Sequence, residues 1–185
     1  MPSFTRKAIM ESCMKLLEQK PVNKISVKDI VEDCGINRNT FYYHFEDLPH
    51  LINAIILEEA DRIIIEYDTV DSLLDCMQIV LDFAMKNRRA AMHLFNSANR
   101  EIYERSLMST CQHVVERYID SLIAGRPVSA LDRKVIIASF RNECFGMIID
   151  WMAGGMKDER TKEVLRLCEI KRGMAEEMIE RCLTS

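Results

Sequence analysis

At 185 residues, 48% hydrophobic but only 7% aromatic, with six Gly and four Pro, the chain has the composition of a helix bundle, sized for one ordinary domain or two small ones and too apolar to be disordered. A net charge of −4 excludes nucleic-acid binding by bulk charge, so any such affinity must come from local placement of cations. No apolar run approaches the length of a membrane span and the N-terminal MPSFTRK lacks an apolar signal region, so the chain is expected to stay in the cytoplasm.

The first helix is predicted from about Ser3 to Gln19, with Phe4, Ala8, Ile9, Cys13, Leu16 and Leu17 as one apolar stripe. Pro21 and Asn23 close it. Ser26 then caps a second helix through the free N–H groups of its first turn, and Asp29, three residues on, stands at capping-box spacing. Val27, Ile30 and Val31 recur at three and four, which buries one face. Gly35 ends this helix and Asn37 caps a third. Phe41 and Phe45, four apart, point into the core. The opposite arc carries Asn39, Thr40 and Tyr43, with Tyr42 on its shoulder and Arg38 in the first turn. A short helix with a hydrophobic back and an Arg/Asn/Thr/Tyr front suits the major groove of DNA. Residues 26–45, SVKDIVEDCGINRNTFYYHF, are therefore a helix-turn-helix.

That run, with its G-I-N-R-N-T-F-Y-Y-H-F core set behind a capped helix and a Gly turn, resembles the N-terminal DNA-binding domain of the TetR/AcrR family of bacterial repressors. The resemblance covers roughly the first third of the chain. It implies an all-α fold: an N-terminal three-helix DNA-binding domain (1–47) and a C-terminal helical effector-binding and dimerisation domain (48–185), about nine helices in all. It implies that Ser26, Tyr42, Tyr43 and His44 hold phosphate while Arg38, Asn39 and Thr40 face base edges or adjacent phosphates, with Arg suited to guanine and Asn to adenine. Arg6 and Lys7 stand where family members often touch phosphate.

The charge pattern departs from the family. Residues 1–50 carry seven Lys/Arg against seven Asp/Glu, so DNA affinity has to rest on Arg6, Lys7, Lys24, Lys28 and Arg38. The lysines usual after the aromatic run are replaced by Glu46-Asp47-Leu48-Pro49. Asp47 is placed to cap helix 4, with Pro49 in its first turn. Val31 occupies a position often small in the family.

Helix 4 is predicted over about Leu48–Tyr67, apolar on two sides through Leu51, Ile55, Leu57, Ile64 and Ile65, with a break at DTVDS (68–72). Helices follow over Ser72–Lys86 (Leu73, Leu74, Met77, Val80, Leu81, Ala84), Ala90–Ser97, Glu101–Ala124, Ala130–Met152 and Thr161–Leu183. Gly125-Arg126-Pro127 is the strongest breaker of this half. Val135–Met152 is apolar on too many sides for a surface helix of a monomer, which makes it either the central core helix or half of a dimer interface. The resemblance implies that the last two helices of each protomer form a four-helix homodimer interface. Two reading helices one turn of DNA apart would then address a palindrome.

The resemblance also implies a small-molecule pocket in the body. Met77, Met92, Phe95, Met108, Phe140, Met147 and Trp151 are the candidate lining, together with Met85. His93, Tyr103, His113, Arg141, Asn142 and Glu143 are candidate polar contacts.

The seven cysteines, Cys13, Cys34, Cys76, Cys111, Cys144, Cys168 and Cys182, include no CxxC pair, so no zinc site is expected and most are reduced core residues. No metal or other cofactor is expected. The sequence offers no Gly-rich phosphate loop and no nucleophile motif, which argues against an enzyme. The expected function is a homodimeric transcriptional regulator, a repressor, whose hold on a palindromic operator is set by an unidentified effector. The alternative is a helical co-regulator that binds a protein partner in place of a small ligand, with weak or no DNA binding.

Overall fold

The computed structural model describes residues 2–66, 73–98 and 100–183. The break expected at 68–72, the end of helix 4 at Tyr67, and the side chains of Ile64, Ile65, Leu73, Leu74 and Cys76 lie outside the described residues. Among the described residues every regular element is a helix: α1 Pro2–Gln19, a 3-10 turn Val22–Lys24, α2 Val27–Cys34, α3 Arg38–His44, α4 Leu48–Glu66, α5 Leu73–Lys86, α6 Arg88–Phe95, α7 Arg100–Ile123, α8 Ala130–Ala153, α9 Asp158–Ile170 and α10 Met174–Leu183.

The all-α fold is as expected, with ten α-helices among the described residues against about nine foreseen. The closing helix predicted as one piece over Thr161–Leu183 is two. Gly173 adopts φ 84° between α9 and α10, a left-handed conformation that ends a helix.

The chain forms two compact units. Unit 1 is Met1–Glu59 with Lys86–Ser106, and unit 2 is Ala60–Met85 with Leu107–Ser185. In unit 1 the predicted stripe of α1 is buried at Ile9, Cys13, Leu16 and Leu17, while Phe4 is left 80% exposed. That stripe meets Ile30 and Val31 of α2, Phe41 and Phe45 of α3, Leu51, Ile52 and Ile55 of α4, and Ala90 and Tyr103 from the later segment. Burying these side chains, at ~25 cal/mol per Å² of apolar surface, is what holds three short helices that could not persist alone.

In unit 2, α8 buries Ile136, Ile137, Phe140, Cys144, Ile148 and Trp151. Trp151 is fully buried, and its indole Nε1–H donates to Thr161 Oγ1 of α9 at 2.8 Å. Arg133 of α8 forks onto both carboxylate oxygens of Asp120 of α7 at 2.7 Å each, the paired geometry that guanidinium favours. Lys171 pairs with Glu143. Val135 and Leu131, 55% and 69% exposed, open a stripe on α8 that continues through the exposed Ser139, Asn142, Gly146, Asp150 and Ala153, with Asp150 paired to Arg160 at 3.0 Å.

Candidate nucleic-acid interface

The helix-turn-helix is set by three local devices. Ser26 caps α2: its Oγ accepts the Asp29 N–H at 3.2 Å and donates to Asp29 Oδ2 at 2.7 Å, and its own N–H donates to the same carboxylate at 2.8 Å. The Ser26 hydroxyl, then the Ser26 amide and Lys20, hold the Asp29 carboxyl down at about 2. Lys20 Nζ lies 3.3 Å away. Gly35 then sits at φ 67°, ψ 32°, and the end of α2 is closed by its N–H on Glu32 O at 3.3 Å and by the Ile36 N–H on Val31 O at 3.0 Å. Open space surrounds the position where a Cβ would stand, so backbone conformation, not room, calls for glycine. Asn37 Oδ1 accepts the Thr40 N–H at 2.9 Å and the Thr40 hydroxyl at 3.1 Å, which starts α3.

With Phe41 and Phe45 sealed at 0% and 2% exposure, α3 turns its other face outward. Arg38 and Asn39 are exposed. Tyr42 is 54% and Tyr43 79% exposed. Tyr43 meets the half-buried His44 edge-on, ring centroids 5.0 Å apart. Lys28 is exposed on α2, loosely paired with Glu32 at 3.6 Å.

Two of the sequence-predicted contacts are engaged within the protein. The Thr40 hydroxyl donates to Asn37, and the single hydroxyl proton of Ser26 goes to Asp29. Arg6 is engaged as well. It pairs with Glu58 of α4, its Cζ lies 5.3 Å from the Phe45 ring centroid, and its Nη1 lies 3.4 Å from Met10 Sδ. Lys7 stands out in solvent, 3.7 Å from Glu11. Asp47 caps α4 through the His50 N–H at 2.7 Å. Arg38, Asn39, Tyr42 and Tyr43 remain as one outward row.

The candidate pocket residues divide between the units. Met92 and Phe95 belong to unit 1; Met77, Met108, Phe140, Met147 and Trp151 belong to unit 2. Phe95 lies under the Arg100 guanidinium at 3.9 Å and Phe140 lies 5.4 Å from Lys171 Nζ. Met77 is buried, while Met92, Met108 and Met147 are half-buried. Of the polar candidates, His93 meets the Leu17 carbonyl, His113 meets Asp61, and Arg141 reaches Gln112 and Asn142. Tyr103 is buried in the core of unit 1.

Burial pushes the Cys13 and Cys111 thiols up to about 12 and raises Cys34 and Cys168 as well, the opposite of what thiolate chemistry needs. Among the described residues no group of three His, Cys, Asp or Glu side chains could hold a metal, and no helix is long and apolar enough to cross a membrane.

The membership of α6 in unit 1 was not foreseen from the sequence. With Lys86, Arg88, Arg89, Arg100 and Arg105 of its later segment, unit 1 carries twelve Lys/Arg against eleven Asp/Glu, while unit 2 carries 13 against 18. The acidic excess therefore lies wholly in unit 2.

Comparison with known proteins agrees with this geometry. Residues 9–55 match the model of the bacterial regulatory proteins of the tetR family, and residues 71–173 match a transcriptional regulator C-terminal region. Two HTH-type transcriptional regulators of Staphylococcus aureus, from strains USA300 and NCTC 8325 / PS 47, are each 27% identical over 104 residues, 52% of this chain and 56% of the relative. The chain thus spans about half the length of the curated relatives it matches. The fold is similar to that of the dihydroxyacetone kinase operon activator DhaS (TM-score 0.57, 18% identity, 90% of this chain and 97% of that one). It is also similar to that of NalD, the secondary repressor of the MexAB-OprM multidrug efflux pump in Pseudomonas aeruginosa (TM-score 0.53, 19% identity, 97% and 96%).

Proposed function

The chain belongs to the TetR family of helix-turn-helix transcriptional regulators, and on that premise we propose that it is a homodimeric repressor that reads a palindromic operator through α3 and is controlled by a small-molecule effector. Residues 1–47 read DNA, and residues 48–185 hold the effector and dimerise. The observation that carries the reading is the outward row Arg38, Asn39, Tyr42 and Tyr43 on a helix whose Phe41 and Phe45 are sealed into the core. Arg38 and Asn39 are free of caps and stand where a helix offers base contacts. Tyr42 and Tyr43, with Lys28 and His44, set the register on phosphate. Thr40 and Ser26 join them only by exchanging their internal partners, so they contribute less.

The dimer forms through α8 with α9 and α10. Its supports are the exposed stripe of α8 and the exposed Leu167, Ile170 and Met174 beside it in sequence order, 38%, 63% and 40% exposed. Small residues such as Ser139 and Gly146 let a partner helix approach closely, and apolar neighbours supply the burial that an isologous interface needs. The effector is held by apolar side chains of the body, Met77, Met108, Phe140, Met147 and Trp151 of unit 2 among them. It acts by favouring one setting of α4, whose first half belongs to the DNA-reading unit. One fold neighbour is an operon activator and the other a repressor; repression is the simpler assignment because occupancy of the operator suffices for it. Cytoplasmic work follows from that role.

The test is binding to the promoter region of the chain's own gene, repeated with Tyr43→Ala and Arg38→Ala. Both variants are expected to bind at least about tenfold more weakly. Unchanged and salt-insensitive binding by both removes the assigned surface. Recovery of a protein partner with no enriched DNA favours the co-regulator reading, which Glu46 and Asp47 after the aromatic run keep in play.

A further inference from the structure

Pro21 has a consequence for α1. The Leu17 carbonyl would ordinarily accept from the N–H four residues on, and at position 21 there is none. Lys20 N–H closes on Leu16 O at 3.0 Å. The Leu17 oxygen is met instead from α6, where His93 Nδ1 lies 2.7 Å away. A carbonyl only accepts, so Nδ1 carries the proton. The start of α6 shows the converse arrangement. Its N-cap, Asn87, makes no side-chain cap hydrogen bond. Glu18 of α1 does this work, its Oε1 accepting the Ala90 N–H at 3.2 Å. Each helix thus caps an end of the other. Ala90, 2% exposed, lies in the same core as Phe41 and Phe45.

We infer that α6 is a brace of the DNA-reading surface, and that Glu18 and His93 are the positioning residues that dock it on α1. α1 packs directly on α2, α2 packs on α3, and Phe41 of α3 lies in the same core, so loss of the brace loosens the recognition helix without touching it. The consequence for operator affinity rests on the DNA-binding reading; the docking itself does not.

The test is amide hydrogen exchange on the full chain. In the wild type, residues 88–95, the last turn of α1 and residues 38–45 are expected to open together, with one shared dependence on added urea. Glu18→Ala and His93→Leu should speed exchange in all three segments roughly five- to tenfold, leaving 130–183 unchanged. Glu18→Gln keeps the acceptor and His93→Asn keeps a donor near Nδ1, so both should exchange like the wild type. If 88–95 opens alone while 38–45 stays protected, the inference is overturned. Should the loss variants fail to fold, the wild-type urea series decides by itself. In parallel, a duplex recovered by unbiased selection with the wild type should bind the two loss variants about tenfold more weakly and the conservative pair within about twofold. Coupled exchange with undiminished binding sinks the functional half. A selection that recovers no duplex counts against the DNA-binding reading and leaves the exchange result standing.

Discussion

Tyr43 is the residue on which sequence and structure converge most closely. It is 79% exposed and meets only the neighbouring His44 ring edge-on, so its ring is open to the DNA contact proposed for it. Tyr43→Ala is expected to leave the melting temperature within about a degree, since surface changes of this kind stay within about 0.5 kcal/mol. The same variant should weaken operator binding about tenfold. Equilibrium anisotropy at two salt concentrations checks both the loss and its salt slope. Arg38→Ala should instead relax preference at one base position, with a loss of about 1–3 kcal/mol. Asp29 makes a separate prediction. Its folded carboxyl titrates at about 2 against an ordinary 3.8. A depressed carboxyl stabilises the fold above the unfolded value, and that contribution fades as pH falls from about 4 to 2. Asp29→Asn should lower stability at neutral pH and flatten this acid limb, read by urea unfolding at stepped pH.

At the scale of elements, the sequence was legible wherever a local rule decided the outcome. The Ser26 capping box, the Gly35 turn, the Asn37 cap and the Phe41–Phe45 spacing are short-range, and the structure has all of them. Gly35→Ala should therefore destabilise unit 1 by about 1 kcal/mol, because a Cβ resists the left-handed conformation even where space is open. A thermal melt measures it, and Gly35→Asn should fall between the two. The split at Gly173 is just as local, but it lies inside an otherwise continuous helical pattern that masks it. The docking of α6 was a different matter. Glu18 meets Ala90 across 72 residues and His93 meets Leu17 across 76, and helical periodicity says nothing about which distant helix fills a gap. The one available signal was Leu17 followed four places on by Pro21, which announces an unsatisfied carbonyl without naming its donor. The engagement of Thr40 and Arg6 was hidden for the same reason. Periodicity sets the face a residue occupies, and only neighbours determine whether its polar atoms are already bound.

At the scale of the molecule, the acidic excess of the chain lies in unit 2 and unit 1 is slightly basic, so electrostatics need not oppose the DNA binding proposed for it. The proposed dimer would supply two reading helices, where one short helix reads too few bases for specificity. Val135 is 55% exposed in the protomer, so Val135→Lys should fold normally yet shift sedimentation from dimer to monomer at micromolar concentration. The measurement that bears most directly on the regulator reading is selection of the full chain against random duplex DNA. The expected result is a two-fold symmetric sequence whose half-sites lie roughly 34–36 Å, one helical turn, or a multiple of it apart, with enrichment abolished by Tyr43→Ala. Enrichment of no sequence, or of one that Tyr43→Ala binds as well as the wild type, would contradict it.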